Sequence, residues 1–463
     1  MTPANCGRGT IMIHCSLLLL ALSTPIPSDV EAALWHPDVL TRDVAMLSSI
    51  MDLDVVERGV VAELIDQYGR GYQHAAEEAR IAALSAATAE PADIEWAGQH
   101  QEWADIRAKA ASMSQEDSVV YLQSMQEWAG EELEQVLRDW PAMTPSARRR
   151  ALIAWDRQRQ ELRQQLFADL SLIFEEGRRS QLALADARLR LDHDSSAATR
   201  WALPLEKVDL SRLLAEQFSD GMPDELAEEV DQYVLGHARV VADRAGRLGE
   251  ILAARTDAQA AKDHLSVLKW TKAEMELRQT VVDDTLFWYE RLGRQLDDDA
   301  LIQFQRRFNQ AVWPEAFAPS KADRIVLWAL QQDHLDPDLM VAMRSVRAKR
   351  GAARLSLASK ERAASRIADR RRPVLMAEQQ AMAQLFGDMA LFGIPNEADE
   401  RLQEAFDLAQ RRSLIEASAV HEIRQLLGDQ LWDEIPDATH IAPHQRRVLA
   451  EQGAPLDGTA PNE

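Results

Sequence analysis

Between residues 119 and 170 the apolar positions advance in steps of three and four. Val119, Leu122, Gln126, Ala129, Leu133, Val136 and Trp140 mark one stripe, with Gln126 its one polar member. Leu152, Trp155, Leu162, Leu166 and Leu170 continue the rhythm, and the charged Arg159 interrupts it once. Such a period predicts amphipathic helices with a narrow apolar seam suited to helix-on-helix packing. Pro141 and Pro145 stop one helix and start the next, so the two stretches predict an antiparallel hairpin.

Elsewhere Ala, Leu, Glu, Arg and Gln dominate, and period-two runs of β-branched residues are missing. Chain breaks are expected at 191–204, 219–224, 313–323, 333–338 and 393–399, and the glycines of "YGRGY" at 68–72 suggest a helix break. No fixed-period repeat is visible. The expected fold is therefore all-α: antiparallel helical hairpins forming an elongated multi-helix bundle. It would comprise an N-terminal helical region (33–195), a middle region (196–319), a C-terminal region (320–452) and a disordered tail (453–463).

The N-terminus bears on compartment. Arg8 precedes an apolar run from Ile11 to Leu22, followed by Pro25, Pro27 and small residues, which is the pattern of a secretory signal. The run is shorter than the roughly 20 residues of a membrane span. Cleavage after Ser23 or after Ala32 fits, and Ala32 is preferred, so residues 1–32 are expected to leave and the protein to act in the periplasm or outside the cell. Cys6 and Cys15 would leave with the signal, removing any cysteine nucleophile, thiolate metal site or disulfide. The formal charge of −23 becomes −22 on cleavage, since Arg8, Asp29 and Glu31 are lost. Such a surface repels nucleic acid and anionic membrane on average and fits cationic or uncharged partners.

Residues 344–372 oppose that balance. They hold eleven Arg or Lys against Glu361 and Asp369, with few large apolar residues. A solvated helix ended by Pro373 is expected. Two readings of its arginines compete: pairing with acidic surfaces of the same fold, such as 224–231, or contact with an anionic envelope partner through Arg344, Arg347, Arg350, Arg354, Arg362, Arg366 and Arg370. Nucleic acid is not expected, because the stretch has no aromatic residue on which bases could stack.

Catalytic signatures are sparse. Asp192, His193 and Asp194, and Asp333 and His334 with Asp336 and Asp338, are the candidate metal ligands. Both groups fall at expected loops beside helix ends, where Asp commonly caps or turns the chain. His421 lacks a second histidine one turn on, since Gln425 stands there, and Pro443 separates His440 from His444 on any helical face. There is no nucleophile elbow, P-loop or dinucleotide fingerprint, and no cofactor is expected. The many tryptophans, among them Trp103, Trp128, Trp140 and Trp155, are spaced as core anchors.

Several expected helix starts share one shape: Met143-Thr144-Pro145-Ser146-Ala147, Ile441-Ala442-Pro443-His444-Gln445, Met113-Ser114-Gln115-Glu116-Asp117, Leu296-Asp297-Asp298-Asp299-Ala300 and Leu426-Leu427-Gly428-Asp429-Gln430. This resembles the Leu-Thr-x-x-Gln motif of the Spy/CpxP family of exported helical envelope proteins. Ala147 stands where the motif has Gln, and Ala442 where it has Thr. Physically the motif is an apolar residue, an N-cap and a return bond at the third helical residue. The resemblance implies ATP-independent binding of unfolding clients or a part in envelope stress, on helix faces rather than in a catalytic pocket. The expected role is thus a non-catalytic interaction protein whose partners are protein clients or envelope components. The alternative is a metal-dependent envelope enzyme using the His193 or His334 cluster.

Overall fold

The computed structural model describes residues 35–85, 133–140, 142–196, 202–332, 335–386 and 397–435, with isolated positions between 109 and 131. The expected signal 1–32, the tail 453–463, the helix start at Ile441, and Trp103, Trp128, Asp333, His334, His440 and His444 lie outside the described residues. Among the described residues there are twelve α-helices and no strand, so the protein is all-α. The helices are α1 (Val44–Met51), α2 (Val55–Ser85), α3 (Ala147–Ile173), α4 (Arg179–Ser196), α5 (Leu210–Gln217), α6 (Asp224–Ala260), α7 (His264–Gly293), α8 (Asp298–Val312), α9 (Pro314–Phe317), α10 (Lys321–Ala329), α11 (Pro337–Phe386) and α12 (Glu397–Asp433). They group into two units interleaved along the chain. The first holds the residues up to Ser211, Asp220–Leu292 and Ala377–Phe392; the second holds Arg212–Ser219, Gly293–Met376 and the residues from Gly393 onward.

In the first unit, α2 buries Val61, Ile65, Tyr68, Tyr72, Ala75 and Ala76, a stripe stepping by three and four. It meets the stripe of α3, where Trp155, Leu166 and Leu170 are buried. The edge of Tyr72 packs on Trp155, whose ring stacks on Trp35. Arg178, just beyond α3, donates to Glu57 at the start of α2 (2.6 Å), so the two helices run antiparallel. The break expected at "YGRGY" does not occur: Gly69 and Gly71 lie inside the unbroken α2. Each glycine costs about 1 kcal/mol against alanine in a helix, which burial of the flanking Tyr68 and Tyr72 rings outweighs.

The start of α3 is fixed from a distance. Ser146, not Thr144, is the N-cap, and its hydroxyl accepts from the Arg149 amide (3.0 Å). Asp257 of α6 selects that register by accepting from both the amide and the hydroxyl of Ser146 (2.9 and 2.7 Å). Of the hairpin expected between 119–140 and 147–170, the second helix is α3 and the first falls largely outside the described residues. Its described part, a helical stretch over 133–139 and Trp140, reaches α7 and the turn before it: Glu134 pairs with Lys272, and the Trp140 indole donates to Asp263 (3.2 Å).

Helices α6 and α7 form an antiparallel hairpin. Lys262 turns the chain in the left-handed region (φ 56°), and Asp263 caps α7 by accepting from the amide and hydroxyl of Ser266 (3.0 and 2.6 Å). The helices come close at Gly236, where a Cβ would stand 3.0 Å from the Trp288 ring. Between them lies a charged network sealed from water. Arg278 donates to both oxygens of Glu206 (3.2 and 3.0 Å) and twice to Glu274 (2.9 and 2.8 Å), while Arg255 also binds Glu274 and Arg244 stands 3.9 Å from Glu206. Arg278 and Glu274 have no exposed surface at all.

The second unit is built on the first forty residues of α11. Helix α12 runs antiparallel to them: Arg350 pairs with Glu422 and Arg412 with Glu361, while Ala364 and Ala368 pack against Ala405 and Leu408. Alanines allow this seam to close without large side chains. The other end of the unit gathers Ile325, Val326, Met343, Val420, Ile423 and Trp432. Helix α10 is capped by Ser320 and Asp323, which bond each other's amides (3.1 and 3.0 Å).

Two expected ends are overturned. Helix α11 continues through Pro373 to Phe386 rather than stopping there. A proline inside a helix lacks its own N–H and crowds the preceding turn, but Pro373 is buried between turns that remain packed through Ala368 and Ala377. Asp192, His193 and Asp194 belong to the last turns of α4, not to a loop, because the helix runs on to Ser196.

Candidate functional site

The first unit holds a cleft of about 360 Å³ between α3, α4 and α6, also lined by Asp38. On α3, Asp156, Arg159, Gln160, Arg163 and Gln164 recur with helical spacing and present one polar stripe beside the apolar seam. On α4, Arg190 and His193 stand one turn apart. On α6, Ala242, Ala245 and Gly246 contribute little volume, which leaves the space open, and Asp243 and Arg247 stand beside them.

The floor is an ion-pair network around Arg163, which is 4% exposed. Its guanidinium donates to Asp38 (2.5 Å) and to both the side chain and the backbone carbonyl of Asp186 (2.5–3.3 Å). Asp186 also accepts from Arg190 Nε (3.0 Å), and the Tyr68 hydroxyl donates to Asp38. Arg159 donates to Asp156 (2.9 Å) and bonds the Tyr72 hydroxyl.

The electrostatics follow from this packing. Burial alone would raise the Asp38 pKa, but the charge of Arg163, the Tyr68 hydrogen bond and nearby His193 together hold it below its ordinary 3.8. Burial would lower that of Arg163, and the two carboxylates more than reverse this, so the guanidinium stays charged. Burial, then the charge of Asp38, pushes the Tyr68 phenol up, and burial pushes up Tyr72. Both phenols are therefore donors across the physiological range.

The sequence-expected residues divide as follows. His193 lines the cleft, Asp192 is exposed, and Asp194 lies on the same helix; Asp333 and His334 are outside the described residues. Among the described residues no three His, Cys, Asp or Glu side chains converge as metal ligands. His421 Nε2 lies 3.0 Å from the Gln425 amide, one turn away on exposed surface.

The basic helix, in the second unit, pairs some of its arginines within the fold and leaves others exposed. Arg347 donates to Asp323 (2.6 Å), and Arg354 reaches Asp323 (3.4 Å) and the carbonyl of Ala318 (2.9 Å). Arg350 pairs with Glu422, while Arg362 donates to Asn309 (2.9 Å) and lies over the Trp313 ring. Arg344, Arg366 and Arg370 are exposed.

Sequence reasoning missed Asp38, Arg163, Asp186 and Arg190. The signal that could have found them was Arg159, the charge inside the apolar seam, with Arg163 one turn further on.

No protein-family model matches the chain, and neither a curated protein nor a solved structure matches it.

Proposed function

We propose that this chain is an exported, non-catalytic interaction protein of the bacterial envelope, chaperone-like, stress-related or scaffolding, that contacts other proteins through helix surfaces. The observation that carries the reading is a group of exposed aliphatic side chains at one end of the α2–α3 pair. Val55, Val56 and Leu172 are 82, 74 and 84% exposed, and the Arg178–Glu57 contact brings the start of α2 to the end of α3. Aliphatic surface gathered in one place is the kind that unfolding chains or partner helices cover. The export-type N-terminus and the exposed arginines Arg344, Arg366 and Arg370 fit the same role, the latter as contacts for an anionic envelope component.

The test is aggregation of a thermally unfolding client followed by light scattering without ATP. The full chain is expected to suppress scattering, and the Val55→Ser, Val56→Ser, Leu172→Ser variant to lose about half of that effect or more. Absence of suppression at molar excess, or an unimpaired triple variant, overturns the reading.

A further inference from the structure

We infer that the cleft between α3, α4 and α6 binds a small metabolite through a carboxylate or phosphate group held by Arg190 and Arg247. The space, about 360 Å³, is sufficient for a molecule of sugar or amino-acid size. Its floor is already matched: Asp38 and Asp186 accept from Arg163, and Asp156 accepts from Arg159 and Gln160. A cation entering the cleft would compete with guanidinium groups for every one of these carboxylates, so these acids do not define a cation site.

The remaining capacity is mainly of donors, with the Asp243 carboxylate beside them at the cleft wall. Arg190 commits its Nε to Asp186, and its two terminal nitrogens have no partner among the described residues. Among the described residues Arg247 has only a 3.4 Å contact with Asp243, and the amide of Gln164 has no partner there. These side chains come from three helices and line one cleft. Unfilled guanidinium groups beside a rigid floor suit a planar or tetrahedral oxoanion, which accepts two parallel N–H bonds from each fork. Ala242, Ala245 and Gly246 leave room for the body of the ligand, and Gln160 and His193 are polar groups able to meet its hydroxyls.

Calorimetric titration of the full chain at constant ionic strength tests this, with inorganic phosphate, glucuronate and uncharged glucose as probes. Binding of phosphate or glucuronate, but not glucose, is expected. Whichever of the two binds more tightly identifies the ligand group as phosphate or carboxylate. Arg247→Gln should weaken that binding about tenfold or more, because one charged fork is lost, while leaving the thermal unfolding midpoint of the free protein in place, since Arg247 is 64% exposed and outside the floor. Arg190→Lys keeps the charge and the position but loses the fork, and should weaken binding in the same direction. The inference is overturned if neither oxoanion binds at about 10 mM, if glucose binds as well as glucuronate, or if Arg247→Gln binds like the parent.

Discussion

Arg278 in the first unit and Arg412 in the second each grip a glutamate on a helix seam, yet their surroundings differ. Arg278 and its partners Glu206 and Glu274 are cut off from water, and Arg244 and Arg255 join the same network. Arg412 holds Glu361 with two bonds (2.7 and 3.2 Å) at the edge of an alanine seam, where both side chains keep about an eighth of their surface wet. The difference teaches that a buried charge stands only where opposite charge surrounds it, whereas a pair at a seam edge can fall back on solvent. Charge around Arg278 is therefore structural in an all-or-none way, while along α11 it is graded from paired to exposed.

Removing Arg278 should have the largest effect. Arg278→Met leaves Glu206 and Glu274 buried with fewer partners, and a loss of about 3–5 kcal/mol is expected in urea unfolding of the full chain. A loss below about 1 kcal/mol would mean that water enters the network, and the contrast between the units would collapse.

Arg163→Gln comes next. Asp38 stays covered, but Asp186 is a quarter exposed and recovers hydration, so about 2 kcal/mol is expected. The same network sets an acid limb. The folded pKa of Asp38 lies below its unfolded value, so its contribution is complete above the ordinary 3.8 and is lost as pH falls through the folded value. Asp38→Asn should flatten the decline of the urea midpoint below pH 4 relative to the parent. Asp323 in the second unit is lowered as well: burial opposes the shift, and bonds from Arg347 and Ser320 prevail. If Asp323→Asn flattened the acid limb more than Asp38→Asn, the ranking of the two units would be reversed.

At the seam edge, Glu361→Gln should cost about 1–2 kcal/mol, less than either change in the first unit, because the freed guanidinium of Arg412 can turn toward water.

This ordering also explains what the sequence could disclose. Helix class was legible because the steps of three and four at Trp155, Leu162, Leu166 and Leu170 reflect a local geometry. Helix ends were less legible wherever tertiary contacts outvoted local signals. Ser146 took the cap from Thr144 because Asp257, over a hundred residues away, holds it. The α2 glycines and Pro373 were absorbed into packed helices. Where no distant group intervened, the local rule held: Asp297 caps α8 through the Ala300 amide, and Ser114 exchanges contacts with Asp117. The cleft was half legible. Arg159 announced a charge in a seam, but its significance depends on Asp38 and Asp186, which only folding brings to Arg163.

The smallest stability effect, and the sharpest division within one helix, is expected from Arg344→Gln, Arg366→Gln and Arg370→Gln combined. These side chains project from α11 into solvent, so the unfolding midpoint should not move beyond error. Binding to vesicles rich in anionic lipid, read by flotation at low salt, should fall if this is the face that meets an envelope partner. Neutralising Arg347, Arg350 and Arg362 instead removes contacts to Asp323, Glu422 and Asn309, so it should lower stability. Were that second set to reduce vesicle binding while leaving the midpoint in place, the pairs at the seam would be exchangeable for an outside partner. The second unit would then hold its arginines in reserve for that partner rather than for its own packing.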